Sequence, residues 1–301
     1  MSVFVCGSLH YDVIVNAPHL PRLDETVAGG AVSYLTGGKG GNQAVAAARM
    51  GASTAFAGRI GNDAFGAVLL QGLIEAGVDV SQVQRDPGAS GMSVAIVEPS
   101  GGYGAVIVSA ANLAIDPSRI EIPSGTTTVL LQNEVPEAVN LTVALKGRNA
   151  GARVILNAAP AREMGTDLME AVDILVVNRV EAADLLSTSE AALDPVEAAH
   201  ALTTLGPHSV IVTLGGNGLV LHEAGISTHH PGHRVAVVST HGAGDAFLGA
   251  LAAACASGET LQAAARFGQA AAALHVASPV SQRHVITRKA VKALLAQAAT
   301  R

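Results

Sequence analysis

Short, continuously apolar, β-branched runs recur along this chain and alternate with stretches of helical character. That rhythm constrains the fold more than any other feature of the sequence. The runs lie at 2–7 (SVFVCG), 54–58 (TAFAG), 128–133 (TVLLQN), 153–157 (RVILN), 173–178 (DILVVN) and 209–216 (SVIVTLGG). Helix-like stretches fall between most of them, at 42–50, 64–76, 136–150 and 194–205. A strand that is apolar at every position must be covered on both faces, which a parallel sheet between two helical layers provides. The pattern predicts an α/β fold: a doubly wound, mostly parallel sheet flanked by helices.

Two segments break the rhythm. Residues 13–35 and 89–109 read as strand pairs around Gly, Pro and Ser turns, and the second alternates with period two on either side of Pro99, Ser100, Gly101 and Gly102. Strands inserted into an α/β chain predict a small β lid beside the main sheet, with a decorative edge extension as the plainer reading. Tandem repeats and low-complexity tails are absent, so 1–301 reads as one domain carrying these lid segments.

Composition narrows the class. The 301 residues are 49% apolar and only 14% charged, and 18 basic against 24 acidic side chains leave a net charge of −6. No Lys/Arg cluster offers a footprint for nucleic acid or an anionic membrane. The N-terminal stretch lacks the charged region and long apolar run of a signal peptide, and polar residues interrupt the last Ala-rich block, so no membrane span is expected. Cys6 and Cys255 sit far apart in apolar segments and read as buried, reduced thiols of a cytoplasmic protein.

In open α/β sheets ligands bind at the carboxyl ends of the strands. Polar or Gly-rich groups stand at several such ends: 7–12 after the first run, then Glu134, Asn157, Asn178 and 213–218. A Gly-rich piece, 36–51 (TGGKGGNQAVAAARMG), is not a phosphate-binding P-loop, because Lys39 is followed by Gly40 rather than Ser or Thr. It permits close approach of a ligand, or it is a tight turn with Asn42 as a helix N-cap.

A second Gly-rich piece runs from 237 to 258 (VVSTHGAGDAFLGALAAACASG). An apolar strand-like stretch ending at Ser239 leads into glycines whose amides point toward an anion at the mouth of a helix. Asp245 beside them is placed to accept a proton from an attacking hydroxyl. Its plainer role is to cap a helix over 246–257.

These two Gly-rich pieces, with QNEVPEAV (132–139), NAAPARE (157–163), VNRVEAADL (177–185) and VTLGGNGLVL (212–221) in the same order, resemble the signature segments of the ribokinase-like (PfkB) carbohydrate kinase family. The similarity runs from Gly7 to about Gln269. It implies an ATP-dependent, Mg²⁺-requiring transfer of the γ-phosphate to the hydroxymethyl oxygen of a small sugar, D-ribose above all. A nucleoside or pseudouridine is the alternative acceptor, and a catalytically silent sugar-binding relative is the alternative of another class.

By the resemblance Asp245 is the general base, and amides of Gly242, Ala243 and Gly244 form the anion hole. His10, Asp12, Gly38, Lys39, Asn42 and Glu134 fall at sugar-binding positions. Asn178, Thr213, Gly215, Gly216, Gly218 and Gln269 fall on the nucleotide side. Glu181 stands near Mg²⁺, which it would meet through water. The lid also implies a route to a homodimer.

The chain departs from the family pattern at several places. His10 stands where Asn is usual, Gln269 where His is common, and Ser239 where the pattern begins with Asp. The loop at 276–285 lacks the usual glycine and contains Pro279. A degenerate monovalent-cation site is therefore expected. Arg283 or a nearby His is the candidate substitute charge, with a solvent-exposed Arg283 as the plainer reading.

Overall fold

The computed structural model describes residues 2–100 and 102–299; Gly101, within the expected 99–102 turn, lies outside the described residues. The chain starts with β1 (Ser2–Cys6), forms the antiparallel pair β2 (His10–Asn16) and β3 (Ala31–Gly37), and enters α1 (Lys39–Arg49). Next come β4 (Ser53–Gly61), α2 (Ala64–Glu75), β5 (Asp79–Asp86) and a second antiparallel pair, β6 (Gly91–Val97) with β7 (Tyr103–Val108). Alternation then resumes with β8 (Thr128–Gln132), α3 (Glu137–Asn149), β9 (Arg153–Asn157), α4 (Thr166–Glu170), β10 (Ile174–Asn178), α5 (Arg179–Leu185) and α6 (Pro195–Thr203). Strands β11 (Ser209–Thr213), β12 (Leu219–Glu223) and β13 (Ile226–His230) lead to α7 (Ala243–Ala256), α8 (Leu261–Ala277) and α9 (Arg288–Ala299).

The main sheet has the order β13-β12-β11-β10-β9-β8-β1-β4-β5. All its neighbours from β11 to β5 are parallel, and β12 and β13 add an antiparallel edge. Each central strand is buried on both faces, which is why it is apolar throughout. Val3 and Val5 belong to one buried cluster with Ala47 of α1, Leu248 of α7 and Ala264 of α8, while Phe4 and Cys6 belong to the cluster on the other face, with Val143 of α3 and Leu202 of α6. This is the doubly wound α/β architecture expected.

The chain leaves β1 toward β4 and β5 on one side and later fills β8 to β11 on the other. The strand order therefore reverses between β1 and β8, and the crevice outside their carboxyl ends is where such a sheet offers a binding site.

A second sheet, β3-β2-β6-β7, stands beside the first. Its strands begin and end somewhat differently from the expected 13–35 and 89–109: β2 starts at His10 and β3 continues to Gly37, directly before α1. Tyr11 stacks on Tyr34 within this sheet, ring centroids 5.9 Å apart, and meets Phe65 of α2 at a tilt, 4.8 Å apart.

Three local expectations are corrected. Residues 237–239 form no strand; Val237 and Val238 are exposed, and the Val238 amide instead donates to Val276 O at 2.7 Å. Asn42 is not an N-cap, because α1 begins at Lys39 behind Gly38 (φ 87°) and the Asn42 amide already bonds Gly38 O at 3.0 Å. Finally, α7 begins at Ala243 with Gly242 at its N-cap, so Asp245 lies inside the first turn and does not cap it.

Candidate active site

The crevice at the switch point is built from β1, β8 and the start of α1. Ser8, fully buried after β1, donates its hydroxyl to Glu134 Oε2, and the Lys39 amide donates to the same oxygen at 2.8 Å. Glu134 is thereby fixed beyond β8 by groups from both neighbouring elements.

His10 is only 4% exposed and lies beneath this carboxylate. The Leu9 amide donates to Asn112 Oδ1 at 2.9 Å, which orients the Asn112 side chain so that its Nδ2 donates to Leu9 O and approaches His10 Nε2 at 3.3 Å. His10 Nδ1 lies 3.7 Å from Glu134 Oε2 on the other side of the ring. His10 thus meets Glu134 and Asn112 rather than the open cleft.

Asp12 projects from the same face of β2 as His10, since strand side chains alternate. Its Oδ1 accepts the hydroxyl of Ser93, its cross-strand partner on β6. Burial pushes the Asp12 carboxyl above its ordinary range; Ser93 and the charges of His10 and His241 oppose the shift, and Glu134 adds to it. Acceptor-only carboxylates converging on one crevice suit a ligand rich in hydroxyl donors.

Asp245 is brought to this crevice by the contact between α1 and α7. At Gly249, one turn on, an added Cβ would stand 2.4 Å from Ala46 Cβ and 2.6 Å from Gln43 O, so only glycine lets the two helices approach this closely. Across the contact Asn42 Nδ2 donates to Asp245 Oδ2 at 3.1 Å, and Gln43 Nε2 donates to Oδ1 at 3.0 Å. Burial raises the Asp245 pKa; the Lys39 charge and the two amides counter it, while Glu134 adds to it. A carboxylate bonded this way, with no bond to its own helix amides, has the character of a held base rather than a cap.

The turn before α7 forms a cradle of amides. Gly242 has φ 76°, a left-handed conformation that suits glycine, and a Cβ there would also meet His275 Nε2 at 3.2 Å. Of the three amides expected to form the anion hole, that of Ala243 donates to Thr240 O at 3.1 Å and closes the turn. The amides of Gly242, Gly244 and Asp245 make no such bond among the described residues. Three free donors at the positive end of a 14-residue helix fit an anion.

The strap leading into this turn is held from α8 and the segment after it. Arg283, expected to be either a substitute charge or solvent-exposed, is 7% exposed. Its guanidinium donates to Ser239 O at 3.1 Å, His241 O at 3.0 Å and Ser278 O at 3.3 Å. The Ser239 hydroxyl turns back to accept the His241 amide at 3.4 Å.

On the far side, a cavity of about 460 Å³ lies at the ends of β10 and β11, lined by Asn178, Glu190, Thr213, Leu214, Gly215 and Asn217 among others. Asn178 and Glu181 form a reciprocal cap on α5: the Glu181 amide donates to Asn178 Oδ1 and the Asn178 amide donates to Glu181 Oε2, each at 2.8 Å. Burial raises the Glu181 pKa, and the Lys39 charge lowers it. Lys39 therefore acts on both Glu181 and Asp245, linking the two halves of the site. Gly216 is exposed and Gly218 (φ 101°) is buried behind the turn, whereas Gln269 on α8 donates to His230 O at 3.1 Å and Pro231 O at 3.5 Å.

No trio of His, Cys, Asp or Glu side chains suited to a metal comes together among the described residues. The lone Glu181 carboxylate still fits a Mg²⁺ that keeps most of its water and arrives on ATP phosphates.

Sequence reasoning gave no site role to Gln43, Ser93, Asn112 or Ser8, although Ser8 falls within the 7–12 strand end that it singled out. Gln43 had a signal, as the residue beside Asn42 at the close contact of α1 with α7. The other three act through long-range contacts that no local spacing reveals.

Comparison with known proteins agrees with this geometry. Residues 1–288 match the pfkB family carbohydrate kinase. The chain is 33% identical over 294 residues to a ribokinase of Haemophilus influenzae, covering 95% of each chain. It is 33% identical over 301 residues to a ribokinase of Bacillus subtilis, covering 98% of this chain and 99% of that one. The structure of Arabidopsis thaliana ribokinase complexed with ribose and ATP superposes with a TM-score of 0.89 at 31% identity, covering 97% of this chain and 98% of that chain. From its first strand to the start of its last helix, this chain belongs to the pfkB family of carbohydrate kinases.

Proposed function

We propose that the protein is an ATP-dependent ribose kinase that makes ribose 5-phosphate. The observation that carries this reading is Asp245, held by Asn42 and Gln43 beside the free amides of Gly242 and Gly244. Similarity to ribokinases over nearly the whole chain supports the choice of sugar.

In this reading Asp12, Asn42 and Glu134 bind the ribose hydroxyls, and the backbone at Gly38 and Lys39 closes over the ring. The 5-hydroxyl gives its proton to Asp245 while the O5–Pγ bond forms, the bond from Pγ to the β,γ-bridging oxygen breaks, and ADP leaves. Phosphoryl transfer asks the protein mainly for positioning and charge stabilisation. The amides of Gly242 and Gly244 stabilise the transferred group, and Lys39 adds positive charge. Asn178, Thr213, Gly215, Gly216 and Gly218 flank the nucleotide, and Gln269 supports the neighbouring backbone. Glu181 would hold, through water, the Mg²⁺ that neutralises phosphate charge.

The second sheet serves as a lid over the sugar in this reading. Its exposed Val32, Tyr34, Val106 and Ile107 would suit a homodimer contact. Free, buried Cys6 and Cys255 support a reducing cytoplasmic home, and among the described residues no helix is long and apolar enough to cross a membrane. Glu134, held by Ser8 and Lys39, matches the family position that meets the anomeric end of a free sugar, which disfavours a nucleoside acceptor.

An ADP-release screen across free pentoses, hexoses and nucleosides tests the assignment. Ribose is expected to give the highest kcat/KM. A nucleoside that outperforms it, or no turnover at all, overturns the reading.

A further inference from the structure

We propose that Arg283 is a positioning residue for phosphoryl transfer: a built-in cation that sets the direction and strength of the Gly242 amide. The inference rests on the kinase reading above and deepens it.

All three donor-bearing nitrogens of Arg283 meet backbone carbonyls, two from the 239–241 strap and one, Ser278 O, from the end of α8. The side chain is buried, and no carboxylate lies within ion-pair distance among the described residues. A guanidinium remains charged in such a setting, so its field is balanced only by carbonyl dipoles. A negative group arriving nearby gains from it.

The decisive contact is His241 O. It accepts from Arg283 Nη1 at 3.0 Å and also faces His275 Nε2 at 2.9 Å, which must carry a proton because a carbonyl offers none. That carbonyl shares one planar, trans peptide unit with the Gly242 N–H, so fixing the oxygen on one side aims the N–H to the other. Drawing electron density toward the doubly bonded oxygen also makes the N–H a stronger donor. Gly242 N–H makes no bond among the described residues, and it sits three residues before Asp245 at the start of α7. A preorganised donor aimed at developing phosphoryl charge acts chiefly on the transition state.

The test compares wild type with Arg283→Ala and Arg283→Lys, each checked for its fold by circular dichroism. In the folded Ala variant kcat should drop by about 10²-fold, the scale of losing one such donor, with the KM for sugar little changed. Millimolar guanidinium, or K⁺ entering the three vacated carbonyl oxygens, should restore part of the loss while leaving wild type unaffected. If the Ala variant does not fold, Arg283→Lys decides, because its single ammonium keeps charge without the three-way grip and should also lower kcat. A folded variant whose kcat stays within a few-fold of wild type, or a loss confined to KM with no cation rescue, overturns the proposal. Should wild type phosphorylate no free sugar, the kinase reading fails on its own account. Arg283 is then judged by hydrogen exchange at 240–244, which speeds up in the Ala variant if it pins the strap and stays the same if it does not.

Discussion

Gln43 donates one amide hydrogen to Asp245 Oδ1 at 3.0 Å, across a helix contact so close that Gly249 admits no side chain. The same nitrogen reaches Asn157 Oδ1 at 3.2 Å, so the fully buried Gln43 ties the carboxylate to the end of β9. Asp245 is therefore held rigidly by its neighbours and not by its own helix. Asp245→Asn keeps the shape but removes the proton acceptor. It should lower kcat by about 10²–10⁴-fold while ATP binding stays near wild type. Steady-state kinetics with an independent nucleotide titration check this, and turnover within a few-fold of wild type would reduce Asp245 to a structural role.

The shifted titration of Asp245 gives a pH signature. Burial raises its pKa above the ordinary 3.8, and the base works only when ionised, so the acid limb of kcat/KM should lie above that value. Donors from Asn42 and Gln43 favour the anion, and losing one moves the pKa further up. The sign is fixed: in Gln43→Leu the acid limb should shift to higher pH, with activity recovering as pH rises. A pH–rate profile identical to that of wild type would disconnect Gln43 from the base.

Asp12 makes a different prediction because it stands on the lid sheet, bonded to Ser93, rather than on α7. Asp12→Ala should reduce kcat/KM for the sugar by roughly ten- to hundredfold, the worth of one charge-assisted hydrogen bond of about 1.5–3 kcal/mol. The KM for ATP should hardly move. Equal losses on both substrates would point to a collapsed lid instead of a lost sugar contact.

Much of this was legible in the sequence, for identifiable reasons. The central strands announce themselves because burial on both faces demands continuous apolar runs, and Asp245 stands out as a lone carboxylate behind glycines. Strand β5 was not read, since its partly exposed DVSQVQRD mixes polar and apolar positions at the sheet edge. The β12–β13 hairpin was missed because Ala224 takes the first left-handed turn position, φ 51°, where Asn or Asp would have signalled it. Nothing in the sequence around Ala243 signals that its amide closes a turn on Thr240 O. Ser93 and Asn112 were invisible because their partners, Asp12 and Leu9, lie 81 and 103 residues away in sequence.

The last prediction concerns monovalent cations. The Ser239 hydroxyl is neutral and turns toward the His241 amide, so it supplies no carboxylate to balance a K⁺ ion beside the strap. The backbone oxygens of Ser239, His241 and Ser278, which are the kind of ligand such an ion requires, all accept instead from Arg283. Residues 280–285 form a short 3₁₀ turn behind Pro279, which fixes where that arginine enters. A cation in solution would have to displace a covalently attached, buried guanidinium, so none is needed to shape the turn before α7. Wild-type kcat/KM with Mg-ATP should consequently agree closely in sodium, potassium and Tris buffers of equal ionic strength. A tenfold rise specific to K⁺, equivalent to about 1.4 kcal/mol of transition-state stabilisation, would show that a solution ion still acts here.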